Sequence, residues 1–150
     1  MINIHDLYNL FPHNRGIKAD SITFDVVSIF DHGDLKKGLF IPISEDQKLD
    51  RAIEAGAIAA LWPQELEIPF YTPNHFPIFI VESPIFALQQ LCKYYINKIE
   101  QEECEKMTKF ILFSPELLNH HPYSYDLSKK GTGQQLQKTI MEIINRKERG

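Results

Sequence analysis

The sequence predicts an α/β domain, a single layered sheet flanked by helices, and three observations carry that prediction. Apolar runs of strand length alternate with stretches of helical periodicity in the order strand, helix, strand, strand, helix, strand, helix. The runs around Ile58 to Trp62 and Ile78 to Val81 are apolar throughout, as in central strands covered on both faces. The chain has 150 residues, 43% of them hydrophobic, which suffices for one core without a disulfide or metal staple.

Each element has a local cause. Ile4, Leu7, Tyr8 and Phe11 recur at helical spacing, so residues 3–11 form a short amphipathic helix that ends before Pro12. Ile22, Phe24 and Val26 alternate with polar residues, which predicts a strand over 22–30. Asp31-His32-Gly33-Asp34 is a turn by composition. Residues 39–43 follow as a short buried strand in which Pro42 marks a strand end or edge.

Ser44 and Gln47 have the spacing of a capping box, which predicts a helix over 45–55 with Leu49, Ala52 and Ile53 inward and Gly56 just past its end. Residues 58–62 and 78–81 are buried strands, and the loop 63–77 between them carries four prolines. Ser83-Pro84 starts a helix reaching about residue 102, with Ala87, Leu88, Leu91, Cys92 and Tyr95 as its apolar stripe. A strand over 110–113, a polar and aromatic loop over 119–130 and a helix over 134–147, with Leu136, Ile140, Ile143 and Ile144 on one face, complete the chain.

The net charge of −4 and the pI near 5.8 argue against an electrostatic nucleic-acid binder. The two cysteines, and a start with neither a basic region nor a long apolar one, fit a reduced, cytoplasmic setting. The longest apolar runs fall well short of the ~20 residues of a membrane span.

Several stretches, taken in order, resemble the N-terminal domain of the Mur ligases. They are residues 39–43, the run 52–62 with its Gly56-Ala57, residues 77–82, and Ala87-Leu88-Gln89-Gln90-Leu91. The match extends over about 20–100 and is nearest to the ligases that add D-alanyl-D-alanine; about 106–148 is a strand, loop and helix extension. The resemblance implies a domain that holds the uridine-diphosphate end of a nucleotide-sugar. The Asp-Ser-Arg signature of the family falls on Asp31-His32-Gly33, where the aspartate is kept. Its Asp-Gly-His signature is replaced by Glu45-Asp46-Gln47-Lys48.

The ATP-binding loop of that family would follow the strand 110–113, where this chain has Ser114-Pro115-Glu116. Gly131-Thr132-Gly133 precedes Lys138-Thr139, but the lysine lies too far along the helix for a phosphate loop. His120-His121 with Tyr123 and Tyr125 makes a surface or partner-contact loop rather than a metal site, because no carboxylate or cysteine recurs at ligand spacing. Cys92 lies on an apolar stripe and Cys104 between Glu103 and Glu105, so neither is an activated thiol. Ser21, Ser28, Ser44 and Ser83 lack the sequence context of a nucleophile elbow. Asp31 and His32 either shape a turn or contact a ligand; Trp62 is core, cleft wall or a stacking platform. Arg146-Lys147-Glu148-Arg149 is a solvated helix end.

The expectation is a stand-alone, non-catalytic domain that binds a UDP-sugar or nucleotide-like ligand through Asp31, His32 and Ser44, without metal or cofactor. The alternative is an interaction or regulatory module that has lost the ligand and meets a protein partner through residues 120–125.

Overall fold

Backbone hydrogen bonding sorts the chain into nine strands and three helices among the residues described by the computed structural model: 1–16, 21–43, 47–73, 75–101, 108–111 and 124–125. In chain order they are β1 (Ile2–Asn3), α1 (Ile4–Leu10), β2 (Asn14–Arg15), β3 (Thr23–Phe24), β4 (Val26–Ser28) and β5 (Gly38–Phe40). Then come α2 (Leu49–Glu54), β6 (Ala57–Pro63), β7 (Ile78–Val81), α3 (Pro84–Gln101), β8 (Lys109–Ile111) and β9 (Ser124–Tyr125). The helix expected over 134–147, the glycines before it, Cys104 and Ser44 lie outside the described residues.

A seven-stranded mixed sheet runs β2-β7-β6-β5-β4-β8-β9, and a two-stranded ribbon pairs β1 with β3. The inner five strands are parallel, while β2 and β9 close the two edges antiparallel. Parallel strands need cover on both faces. Leu39, Leu61, Phe79 and Phe110 meet α1 and α3 on one face, through Leu7, Leu88, Leu91 and Tyr95. Phe40, Ala60, Trp62 and Ile78 meet Leu49 and Ala52 of α2 on the other, together with Leu35 and Phe76 from loops.

The sequence places most elements well. α1, β6, β7 and α3 fall where expected, and Ala87, Leu88, Leu91, Cys92 and Tyr95 are all buried. Three differences have tertiary causes. The strand expected over 22–30 divides at Asp25: Thr23–Phe24 pairs antiparallel with β1, whereas Val26–Ser28 joins the main sheet between β5 and β8. α2 begins at Leu49 rather than near residue 45, and Lys48 stands at its start without a side-chain cap. Gln47 accepts the Ile43 N–H and donates to the Ile29 carbonyl, so it bridges loop to strand instead of capping a helix. Ser124–Tyr125, inside the expected loop 119–130, forms an edge strand on β8.

Asn3 caps α1 in a reciprocal box: its side chain accepts the Asp6 N–H at 3.0 Å, and the Asp6 carboxylate accepts the Asn3 N–H at 2.9 Å. The same buried carboxylate accepts the Tyr94 hydroxyl at 2.6 Å and the Lys98 ammonium at 2.9 Å, which fastens α1 to α3. Thr108 closes the fold at longer range. Its hydroxyl donates to the Phe24 carbonyl at 2.7 Å and accepts the Ile2 N–H at 2.9 Å, while its own N–H donates to the Tyr95 hydroxyl at 2.9 Å. Segments up to 106 residues apart in sequence therefore meet at one buried side chain.

Gly56 ends α2 with φ +115°, and a Cβ there would come within 2.7 Å of the Lys36 backbone. Gly56→Ala is expected to destabilise the fold by more than about 1 kcal/mol, since left-handed strain and a backbone clash add; a urea midpoint equal to that of the parent chain would contradict this.

Burial of Asp6 disfavours its charge, but the bonds from Tyr94, the Asn3 N–H and Lys98, with the Lys98 charge, outweigh it and hold the carboxyl below its ordinary value. A depressed folded-state value stabilises the fold above the unfolded value of about 4, and that contribution is lost as pH falls through the lower folded value. Asp6→Asn is expected to cost about 1–3 kcal/mol near neutral pH and to flatten the acid limb of a stability-against-pH curve; an unchanged acid limb would refute the assignment.

Candidate functional site

The path of the chain through the sheet singles out one place on its rim. From β4 the parallel strands step outward through β5 and β6 to β7, and α3 then returns the chain to lay β8 on the other side of β4. Strand order reverses between β4 and β8, and in open α/β sheets ligands bind outside the carboxyl ends of strands at such a reversal. Ser28 ends β4 there, Ile111 ends β8 beside it, and the Ile29 N–H donates to the Ile111 carbonyl at 3.3 Å.

Two side chains clasp the end of β4 to the segment before α2. Gln47 reaches from that segment to the Ile29 carbonyl, and Asp31 reaches the other way, its Oδ2 accepting the Lys48 N–H at 2.9 Å. The Asp31 Oδ1 lies 3.1 Å from His32 Nδ1. Burial opposes ionisation of Asp31, but the Lys48 N–H, the bond and charge of His32 and the charge of Arg51 prevail and hold the carboxyl below its ordinary value. Asp31 is thus an ionised organiser of the rim, buried at 6% exposure.

The His32 side chain is 49% exposed, and its ring meets the Phe30 ring edge-on with centroids 5.9 Å apart. The pair places a half-buried aromatic ring and a half-exposed imidazole side by side at the carboxyl edge. Sequence-adjacent residues in a turn need not converge, yet here Asp31 and His32 do, with a carboxylate oxygen at hydrogen-bond distance from the ring nitrogen Nδ1. Ser44, the third expected contact, lies outside the described residues, but its neighbours Ile43 and Gln47 are tied together and to β4.

A hollow of about 460 Å³ opens on the same edge at the end of β7. Phe11, Ile80 and Phe86 wall it, and His13, Glu82 and Gln90 supply its polar rim. Three strand spacings, roughly 14 Å, separate β7 from β4. No local pattern marks His13 or Phe86 in the sequence, because the lining comes from the end of α1, the end of β7 and the start of α3.

The remaining candidates resolve simply. Trp62 is core, 5% exposed, with its indole N–H donating to the Glu67 carbonyl at 3.3 Å. Cys92 is fully buried, and that burial pushes its thiol far up, away from thiolate chemistry. The Ser28 hydroxyl accepts the Phe30 N–H at 3.1 Å. Among the described residues, no three His, Cys, Asp or Glu side chains gather to hold a metal, and no helix is long and apolar enough to cross a membrane. Of the loop 120–125, His120, His121 and Tyr123 lie outside the described residues.

Asp31→Ala is expected to cost about 1–3 kcal/mol, by stranding the Lys48 N–H, whereas His32→Ala is expected to change stability by less than about 0.5 kcal/mol. Chemical denaturation of the two variants separates organiser from exposed partner, and equal losses would remove the distinction.

No family model matches the chain, and no curated protein matches it.

Proposed function

We propose that this chain is a non-catalytic binding domain that takes a nucleotide or UDP-sugar-like ligand at the carboxyl end of β4, beside Asp31 and His32. The observation that carries the reading is the reversal of strand order between β4 and β8, with an aromatic and imidazole pair poised at that point. A planar base stacks on one of the two edge-on rings, Phe30 or His32, and the exposed imidazole, still held by Asp31 through Nδ1, contacts hydroxyl or phosphate oxygens. Asp31 acts behind them by holding the turn and the segment before α2 in register. Ser44 is retained as a third contact, since both ends of its short segment are tied down.

The uridine-diphosphate character of the ligand comes from the resemblance to the Mur ligase N-terminal domain, whose Asp-Ser-Arg signature falls on Asp31-His32-Gly33. The domain binds without turning its ligand over. Ser28 is hydrogen-bonded into the rim, Cys92 is buried, and Asp31 is committed to the Lys48 N–H, so the described nucleophiles and carboxylate at hand have other employment. The buried, reduced thiol of Cys92 fits a cytoplasmic setting.

Titration with UMP, UDP and a UDP-sugar, followed by NMR, is expected to give saturable shifts in residues 28–32 and 41–48, weakened at least about threefold by His32→Ala. Absence of saturable binding into the millimolar range would sink the reading, and shifts confined to Phe11, His13 and Phe86 would move the site to the hollow at the end of β7. The same preparation, given ATP, Mg²⁺, a nucleotide-sugar and a dipeptide, is expected to release no phosphate. Steady release that is lost in Lys138→Ala would make it an enzyme.

A further inference from the structure

The crossover from β6 to β7 is a loop rather than a helix, and it is firmly held. The Gln64 N–H donates to the Val81 carbonyl at 2.8 Å, Glu67 receives the Trp62 indole, and turns close from Thr72 to Pro69 and from Phe76 to Pro73. Thr72 and Phe76 are buried, and Tyr71 accepts the Asp50 N–H at the start of α2 at 3.2 Å. On this anchored backbone Leu66 and Tyr71 are about half exposed, while Phe70 is 101% exposed with its ring 6.1 Å from that of Tyr71. A fixed loop that holds a whole phenylalanine ring in water has the character of a contact surface.

Its charge is as one-sided as its apolarity. The sequence has no lysine or arginine between Arg51 and Lys93, and Glu54, Glu65, Glu67 and Glu82 all fall in that stretch. Glu65 and Glu67 are exposed beside Leu66. A complementary partner is basic and carries an apolar stripe. Residues 126–150 of this chain have that composition: six Lys or Arg against three acidic residues, with Leu136, Ile140, Ile143 and Ile144 at helical spacing.

We propose that this acidic, aromatic loop is a self-association surface and that the basic, amphipathic stretch 126–150 of a second copy docks on it. The loop leads into β7, whereas β9, the described strand that precedes the basic stretch in sequence, lies at the far edge of the sheet, so the docking proposed is between copies rather than within one. Each copy offers one loop and one basic stretch, so two copies close a symmetric pair in which the loop-to-stretch contact is made twice.

The test uses the full chain in sedimentation velocity at about 50 mM and about 500 mM salt. A dimer at low salt that weakens at high salt is expected, with Phe70→Ser raising its Kd at least about tenfold. Glu65→Lys with Glu67→Lys in one chain, and Arg146→Glu with Lys147→Glu in another, each leave monomers of unchanged circular dichroism. Mixed together, those two chains pair again, since every loop then meets a stretch of opposite charge. A chain that is monomeric at both salts, a dimer indifferent to Phe70→Ser, or charge-reversed chains that fail to pair on mixing would each overturn the proposal. Failure of nucleotide binding leaves it standing, because the surface shares no residue with the β4 rim.

Discussion

Five adjacent parallel strands cannot leave either face in water, and the rest of this structure follows from covering both. Three successive crossovers lie on one side: the segment after β4 that buries Leu35, the short helix α2, and the loop that buries Phe76. Only the middle one is helical. The return to β8 takes the opposite face, through α3, with α1 packed beside it. Once both faces are covered, the strands themselves are reachable only at the sheet's ends and edges, and the carboxyl end at the strand reversal is where neighbouring loops part.

The same economy of buried polar groups recurs at three points. Asp6, Asp31 and Thr108 are all withdrawn from water, and each is engaged by hydrogen-bond partners from distant segments. A buried carboxylate without such partners would protonate or be expelled. With them, each becomes a tie whose geometry is specific: Asp6 between α1 and α3, Asp31 between β4 and the approach to α2, Thr108 among β1's Ile2, Phe24 and Tyr95. The candidate site therefore rests on a structural carboxylate, and the chemistry offered outward is that of the His32 imidazole and the Phe30 ring.

The loop between β6 and β7 shows how a cover becomes a surface. Its buried residues seal the face that a crossover helix ordinarily seals, and its prolines restrict the backbone, so the side chains left over are held outward together. Phe70 is not an exposed residue of a loose segment; both flanks of the ring are pinned, by the Thr72 to Pro69 turn and by the Tyr71 bond to α2.

Periodicity in the sequence determined α1, β6, β7 and α3 and the buried stripe of α3, because burial on one or both faces writes itself directly into the spacing of apolar residues. Asp31 and His32 were legible as a turn at a strand end. What sequence could not contain was partnership. Residues 22–28 alternate like one strand, but whether they pair with β1 or with β5 depends on segments elsewhere in the chain. Gln47 has the spacing of a cap, yet the Ile29 carbonyl, 18 residues away, competes for its amide and α2 starts later in consequence. The rim at β4 and the hollow at β7 exist only because the tertiary structure aligns the carboxyl ends of strands separated by dozens of residues, a juxtaposition for which no local pattern of side chains is required.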